Sequence, residues 1–334
     1  MKKSLPIKLL LCLLFAGISV FCFMACNFGS NGRDTIQDNS QNDSSQDNNE
    51  QTENYSQSLE YAPNFDNTGY KVVGVGLCLD SVIKIPPIYQ GEPVLEIEAN
   101  AFAWISSLIG VVIPDSVTSI GNSAFACCGS LTSVEMCDSI TSIGNFAFYD
   151  CYSLERVNFK GTIDQWAQIS FDGYFANPIN ETNNLYINNE LVTEAVLTTA
   201  TKISEYAFYE CYSLTNVVIP VSVTSIGFGA FFKCTSLTSI EIPDGVTSVG
   251  GYAFFRCKSL KSVIIGKNVT SIGSQVFDYC ESLTSVMFKD TEGWYYTRNY
   301  NDYINKTGGV VWDVTNPNSN AEFMLTYNYY YKCK

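Results

Sequence analysis

Apolar and polar residues alternate along this chain in short bursts that return every 23 residues. Ile240-Glu241-Ile242 has period two, with one side pointing inward and the other outward, and so predicts a short strand. Each burst belongs to a longer phrase anchored on a phenylalanine: Phe102, Phe125, Phe148, Phe208, Phe231, Phe254 and Phe277. The anchors are 23 residues apart except for a step of 60 between Phe148 and Phe208, one repeat plus 37 inserted residues. Five residues before each anchor stands Ile97, Ile120, Ile143, Ile203, Ile226, Val249 or Ile272. Six residues after it stands Leu108, Leu131, Leu154, Leu214, Leu237, Leu260 or Leu283. Gly121, Gly144, Gly227, Gly250 and Gly273 share one slot, which reads as a bend at positive φ. The Ala-Phe-x-x-Cys stretch that follows suits a turn or a short 3₁₀ segment.

One such unit has too small a core to fold alone. Neighbours must stack, burying both faces of each unit and pairing its strand, as in solenoids generally. The chain therefore divides into an N-terminal cap at 70–93, three repeats at 94–159, an insertion at 160–196, four repeats at 197–288 and an aromatic cap at 289–334. Within the insertion, Gln165-Trp166-Ala167-Gln168-Ile169 suggests a short helix with Trp166 packed on the adjoining repeat. Leu185-Tyr186-Ile187 and Leu191-Val192, joined through Asn188-Asn189, suggest a hairpin with a type I′ turn. Asn316-Pro317 is a start signal for a capping helix.

The phrases Val117-Thr118-Ser119-Ile120-Gly121, Ala124-Phe125 and Leu131-Thr132-Ser133-Val134 resemble the BspA-like leucine-rich repeats of bacterial surface proteins. The resemblance covers roughly Tyr70 to Phe288 and extends to Lys160-Gly161-Thr162 with Gln165-Trp166 in the insertion. It implies a leucine-rich-repeat solenoid, curved, with a parallel sheet on its concave side and seven repeats between terminal caps. It also implies binding of proteins or surfaces, often host proteins or other cells, and so adhesion or cell-surface recognition through the concave sheet face, without naming a ligand.

The N-terminus reads as an export signal over 1–25. Lys2, Lys3 and Lys8 precede an uncharged apolar run from Leu9 to Met24, shorter than the roughly 20 residues of a membrane helix. Phe23-Met24-Ala25-Cys26 resembles a lipoprotein lipobox, making Cys26 the lipidation site, although Phe23 departs from the preferred leucine. Ordinary cleavage near Ala25 is the alternative. Residues 26–69, mostly Asn, Gln, Ser, Asp and Glu, read as a disordered tether whose ends lie roughly 35 Å apart. These features place the protein at the cell surface, meeting a membrane only through its lipid.

Chemistry is constrained more by what is missing. The 334-residue chain has no histidine, which excludes Ser-His-Asp and Cys-His catalysis and histidine-ligated metals. Loss of the signal leaves 16 bases against 33 acids, a net of −17, which argues against nucleic acid and anionic lipid as partners. Carboxylates are scattered without a recurring close pair, so no enzyme is predicted, and no cofactor. Cys128, Cys151, Cys211, Cys234, Cys257 and Cys280 stand three residues after their anchors, in a slot that holds Ile105 in the first repeat. They read as buried thiols, with disulfides between neighbours as the rival.

The candidate ligand face is the outward side of the strands: Ser133 and Glu135, Arg156 and Asn158, Asn216 and Val218, Ser239 and Glu241, Ser262 and Ile264, Ser285 and Met287. Apolar members among small hydroxyls suit an interface with an extracellular protein. A glycan held by the aromatic tail and the insertion is the alternative.

Overall fold

The computed structural model describes residues 55–306, 309–325 and 329–333. The export signal, Cys26 and the tether as far as residue 54 lie outside them. Ten strands succeed one another along one side of a parallel β-solenoid: Val82–Lys84, Gly110–Val112, Ser133–Met136, Arg156–Phe159, Tyr186–Ile187, Glu194–Val196, Asn216–Val218, Ser239–Ile242, Ser262–Ile265 and Ser285–Phe288. Equivalent residues pair in register, as in Ser239↔Ser262↔Ser285. A second ladder of two-residue strands runs opposite, through Ser119–Ile120 and Ser142–Ile143, then Ser225–Ile226, Ser248–Val249 and Ser271–Ile272. The phenylalanine corners form a third ladder. There the amide of Phe125 donates to the carbonyl of Ala147, and that of Phe231 to Ala253, both at 2.8 Å. The recurring threonines close the sides: Thr141 Oγ1 donates to the carbonyl of Thr118, and Thr247 Oγ1 to Thr224, each at 3.2 Å.

The anchor phenylalanines fill the centre. Within each block their rings stack 5.2–5.4 Å apart, and all seven are buried. The cysteine slot has an additional cause. Cys128 Sγ donates to the carbonyl of Phe102 at 3.0 Å, and Cys151, Cys234, Cys257 and Cys280 repeat the bond to the phenylalanine 26 residues upstream at 3.0–3.2 Å. Cys211, which follows the insertion, lacks that carbonyl and sits 3.7 Å from Ser213 Oγ. All six are free thiols. Burial pushes Cys128 and Cys211 up to about 11 and raises Cys151, Cys234 and Cys257 as well, which keeps them protonated and unreactive. A thiol reagent applied to native protein should leave these six intact while the partly exposed Cys78, Cys127 and Cys333 react. Prompt labelling of all six without denaturant would contradict the buried ladder.

The glycine slot is occupied for a different reason from the one expected. None of Gly121, Gly144, Gly227, Gly250 and Gly273 has positive φ. A Cβ on Gly227 would lie 2.4 Å from the backbone nitrogen of Glu205, and one on Gly250 would lie 2.5 Å from that of Phe228. Close approach of successive turns, not chain reversal, is what demands glycine. The left-handed residues instead lie two before and two after each anchor, such as Ser123 and Cys127 at φ 56° and 60°, or Tyr252 and Arg256 at 57° and 59°.

Residues 160–196 do not interrupt the stack; they continue it without the consensus. Ser170–Phe171 pairs with Ser142–Ile143, Tyr186–Ile187 with Asn158–Phe159, and Glu194–Val196 with Asn216–Val218, all parallel. Phe171, Leu185 and Ala195 supply the inward face that a regular repeat would provide. The helix Ile163–Gln168 opens with a capping box between Thr162 and Gln165. Its Trp166 is fully buried and donates Nε1–H to the carbonyl of Ala207 at 2.8 Å, joined there by Asn177 Nδ2 at 3.1 Å. These side chains replace the backbone donor that the missing repeat would have presented. One carboxylate fastens the arrangement. Asp164 accepts the amides of Thr198, Thr199 and Ala200 at 2.8–2.9 Å and the hydroxyl of Thr198 at 3.1 Å.

Both ends are closed. The segment 70–93 supplies the first turn, since Tyr70–Gly74 and Val82–Lys84 pair in parallel with the following coil. The covering strand is Glu60–Pro63, antiparallel on Tyr70–Gly74, so part of the stretch expected as tether belongs to the cap. The buried Leu59 and the stacking of Tyr61 on Tyr89 explain the gain. At the far end, Tyr329–Lys332 pairs antiparallel with Ser271–Ile272, and the helix Pro317–Met324 packs over the last long strand. Asn316 caps that helix, and Asn320 Nδ2 donates to the carbonyl of Val286 at 3.0 Å.

Candidate binding face

Alternation within the long strands sends one set of side chains into the core and the other to solvent. The outward set forms two rows crossing the strands, and the structure treats their two ends differently. At the N-terminal end the rows are engaged by the chain itself. Arg156 Nη2 donates to the backbone and side-chain oxygens of Asn189 at 3.2 and 2.9 Å, with its guanidinium 4.6 Å from the centroid of the Tyr186 ring. Asn158, expected outward and free, is only 2% exposed because the hairpin Tyr186–Leu191 lies beside it and the amide of Asn189 donates to its Oδ1 at 2.7 Å. Asn188 and Asn189 hold the positive φ of the turn, 50° and 71°. Ser133 and Glu135 are half-buried, and Glu135 is bridged by Lys160 at 3.0 Å.

Past the hairpin the face is open. Asn216, Ser239, Ser262 and Ser285 form one row of small polar groups. The other row reads Val196, Val218, Glu241, Ile264, Met287. Val196 pairs with Val218, and Glu241, Ile264 and Met287 are successive partners. Val196, Val218 and Met287 are 46–48% exposed, Ile264 partly so. Val196 was not foreseen because its strand lacks the repeat consensus, although Ala195 and Val196 already alternate. Lys289 reaches Glu241 at 2.7 Å, a contact that raises the lysine's pKa, and lies 3.6 Å from Asp244. Asp244 is held below the ordinary carboxylate range first by the backbone amide of Lys267.

Charge is divided along the chain. Residues 55–200 carry 16 carboxylates against 4 bases, while residues 201–334 carry 11 of each. The open apolar row thus begins beside an acidic region in which Glu190 and Glu194 are exposed.

Part of the aromatic tail packs into the cap, while Tyr300 stays exposed. Trp294, Trp312, Tyr330 and Tyr331 are buried, with Phe288 packed edge-on against both tryptophans. A second aromatic cluster lies at the corners, where Tyr209, Phe232 and Phe255 stack 4.6 and 5.0 Å apart. Stacking covers their ring faces. Among the described residues, no three Cys, Asp or Glu side chains converge as a metal would require.

The profile of the BspA type leucine rich repeat region matches residues 93–199 and 201–300 in 6 copies. No curated protein matches the sequence. Several solved structures are similar to it. A leucine-rich repeat protein of Bacteroides ovatus is 23% identical, with 70% of each chain covered and a TM-score of 0.42. The leucine-rich repeat protein of T. pallidum is 22% identical over 71% of this chain and 84% of that one, at 0.30. The pneumococcal vaccine antigen PcpA is 21% identical over 70% and 73%, at 0.40.

Proposed function

Because the chain belongs to the BspA-type leucine-rich repeat family, we propose that it is a recognition protein of the bacterial surface that binds an extracellular protein through its long strands. The observation that carries this reading is the open row Val196, Val218, Glu241, Ile264 and Met287, four apolar members and one acid, which the stack holds in solvent beside small hydroxyls. Protein interfaces have this composition, with an apolar centre inside a polar rim. No catalysis is assigned. Attachment through a lipid on Cys26 completes the proposal, and incorporation of a labelled fatty acid that Cys26→Ser abolishes would support it.

The test is an array of extracellular matrix proteins and glycans probed with the protein and with a Val218→Glu, Ile264→Glu double variant. Both side chains lie at the surface, so the variant should melt within a few degrees of the parent. A protein ligand should be lost with the variant, by at least about tenfold in affinity, as expected when charge enters an apolar interface centre. A glycan that binds both forms equally would move the site elsewhere.

A further inference from the structure

The open row has a sequence of its own: apolar, apolar, acidic, apolar, apolar, in Val196, Val218, Glu241, Ile264 and Met287. It runs across the strands: Val196 and Val218, and Glu241, Ile264 and Met287, are paired neighbours at the strand spacing of about 4.8 Å, and the amide of Thr238 donates to the carbonyl of Thr215 at 3.4 Å where the two groups meet. An α-helix laid along the same direction presents side chains at i, i+3 or i+4, i+7, i+10 or i+11, and i+14. Their mean spacing is about 5.2 Å, from about 1.5 Å per residue. Over four steps the two patterns diverge by less than about 2 Å. An extended peptide presents same-side residues about 6.8 Å apart and loses register after one step.

We propose that the partner of this face is a cationic amphipathic helix lying across the strands. Apolar residues at i, i+3, i+10 and i+14 meet Val196, Val218, Ile264 and Met287, and a lysine or arginine at i+7 meets Glu241. The inference rests on the long-strand face being the binding surface. Charge complementarity supports it twice. Glu241 is the one acid in the row, at its middle, and its side chain is 57% exposed, so that its bridge to Lys289 is worth little and can be shared with a second cation. The i end of the helix then runs toward Glu190 and Glu194, into the region of 16 carboxylates and 4 bases. Basic residues beyond i strengthen the contact there, and the association weakens with salt.

The experiment uses the full chain and labelled synthetic helices, read by fluorescence anisotropy. One peptide carries leucine at i, i+3, i+10 and i+14, lysine at i+7 and lysine on its flanks. A second replaces the i+7 lysine with glutamate. A third has the first composition scrambled so that no apolar stripe forms, and a fourth is interrupted by prolines. The first should bind, and the second should bind at least tenfold more weakly. Glu241→Gln should bring those two within about twofold of each other, and the scrambled and proline peptides should fail. Equal binding of the first two, or of the proline peptide, would overturn the proposal. So would absence of any helix binding while a protein ligand from the array is still lost with Val218→Glu, Ile264→Glu; the face itself would then stand. A protein ligand indifferent to that double variant would remove both.

Discussion

Replacing Phe231 by alanine should cost about 3–5 kcal/mol, the range for emptying a buried phenylalanine site. Its ring is fully buried and stacks at 5.2 Å on Phe208 on one side and at 5.2 Å on Phe254 on the other. Removing it leaves both faces without a partner. The corner cannot collapse into the gap, because its amide is tied to Ala253 and the next thiol, Cys257 Sγ, is bonded to its carbonyl. Val221 provides the contrast: it is 75% exposed, and Val221→Ala should change stability by less than about 0.5 kcal/mol. Denaturant unfolding of both variants checks the pair. An unchanged midpoint for Phe231→Ala would show that the assigned register is wrong.

Asp164→Ala should cost a comparable amount, about 3–5 kcal/mol, by another route. The carboxylate is 6% exposed and receives three amides and a hydroxyl from Thr198, Thr199 and Ala200. Alanine leaves the buried amide of Ala200 and the partly buried donors of Thr198 and Thr199 without their acceptor, and an orphaned buried group carries a desolvation penalty of about 1–3 kcal/mol. The same geometry fixes the pH dependence. Burial pulls the acid's pKa upward, but the amides of Thr199, Thr198 and Ala200 and the Thr198 hydroxyl outweigh it, leaving the carboxyl below its ordinary value. A carboxylate depressed on folding contributes its stabilisation above the unfolded pKa of about 3.9 and loses it as pH falls through the lower folded value. The gap between wild type and Asp164→Asn should therefore be full at neutral pH and shrink below about pH 4. A gap that stayed constant into acid would show that charge at Asp164 contributes nothing.

The repeat was legible because a solenoid writes its contacts at a fixed period. The inward slots, the phenylalanine stack and the thiol column each follow from one residue type recurring every 23 positions. What the period could not show is how a turn is built without the consensus. Residues 160–196 keep the stack going with Phe171, Leu185, Trp166 and Asn177, none in a repeat slot, and only their burial and hydrogen bonds disclose the role. The glycines were read at the right slot for the wrong cause, since approach of a neighbouring turn leaves no local trace in sequence. On the candidate face, alternation identified the outward residues. It could not foresee that the hairpin would cover Asn158 and engage Arg156, nor that Val196 would extend the open row. Those depend on which strand lies beside which.

The most direct test of the proposed role is a deuterium-exchange footprint, comparing the protein alone with the protein bound to a ligand recovered from the array. Protection should rise in the strands Asn216–Val218, Ser239–Ile242, Ser262–Ile265 and Ser285–Phe288 and leave the short-strand ladder unchanged. Protection confined to the tail, over Trp294–Thr297 and Tyr329–Lys332, or to the aromatic corners around Tyr209 and Phe232, would contradict recognition through the long strands.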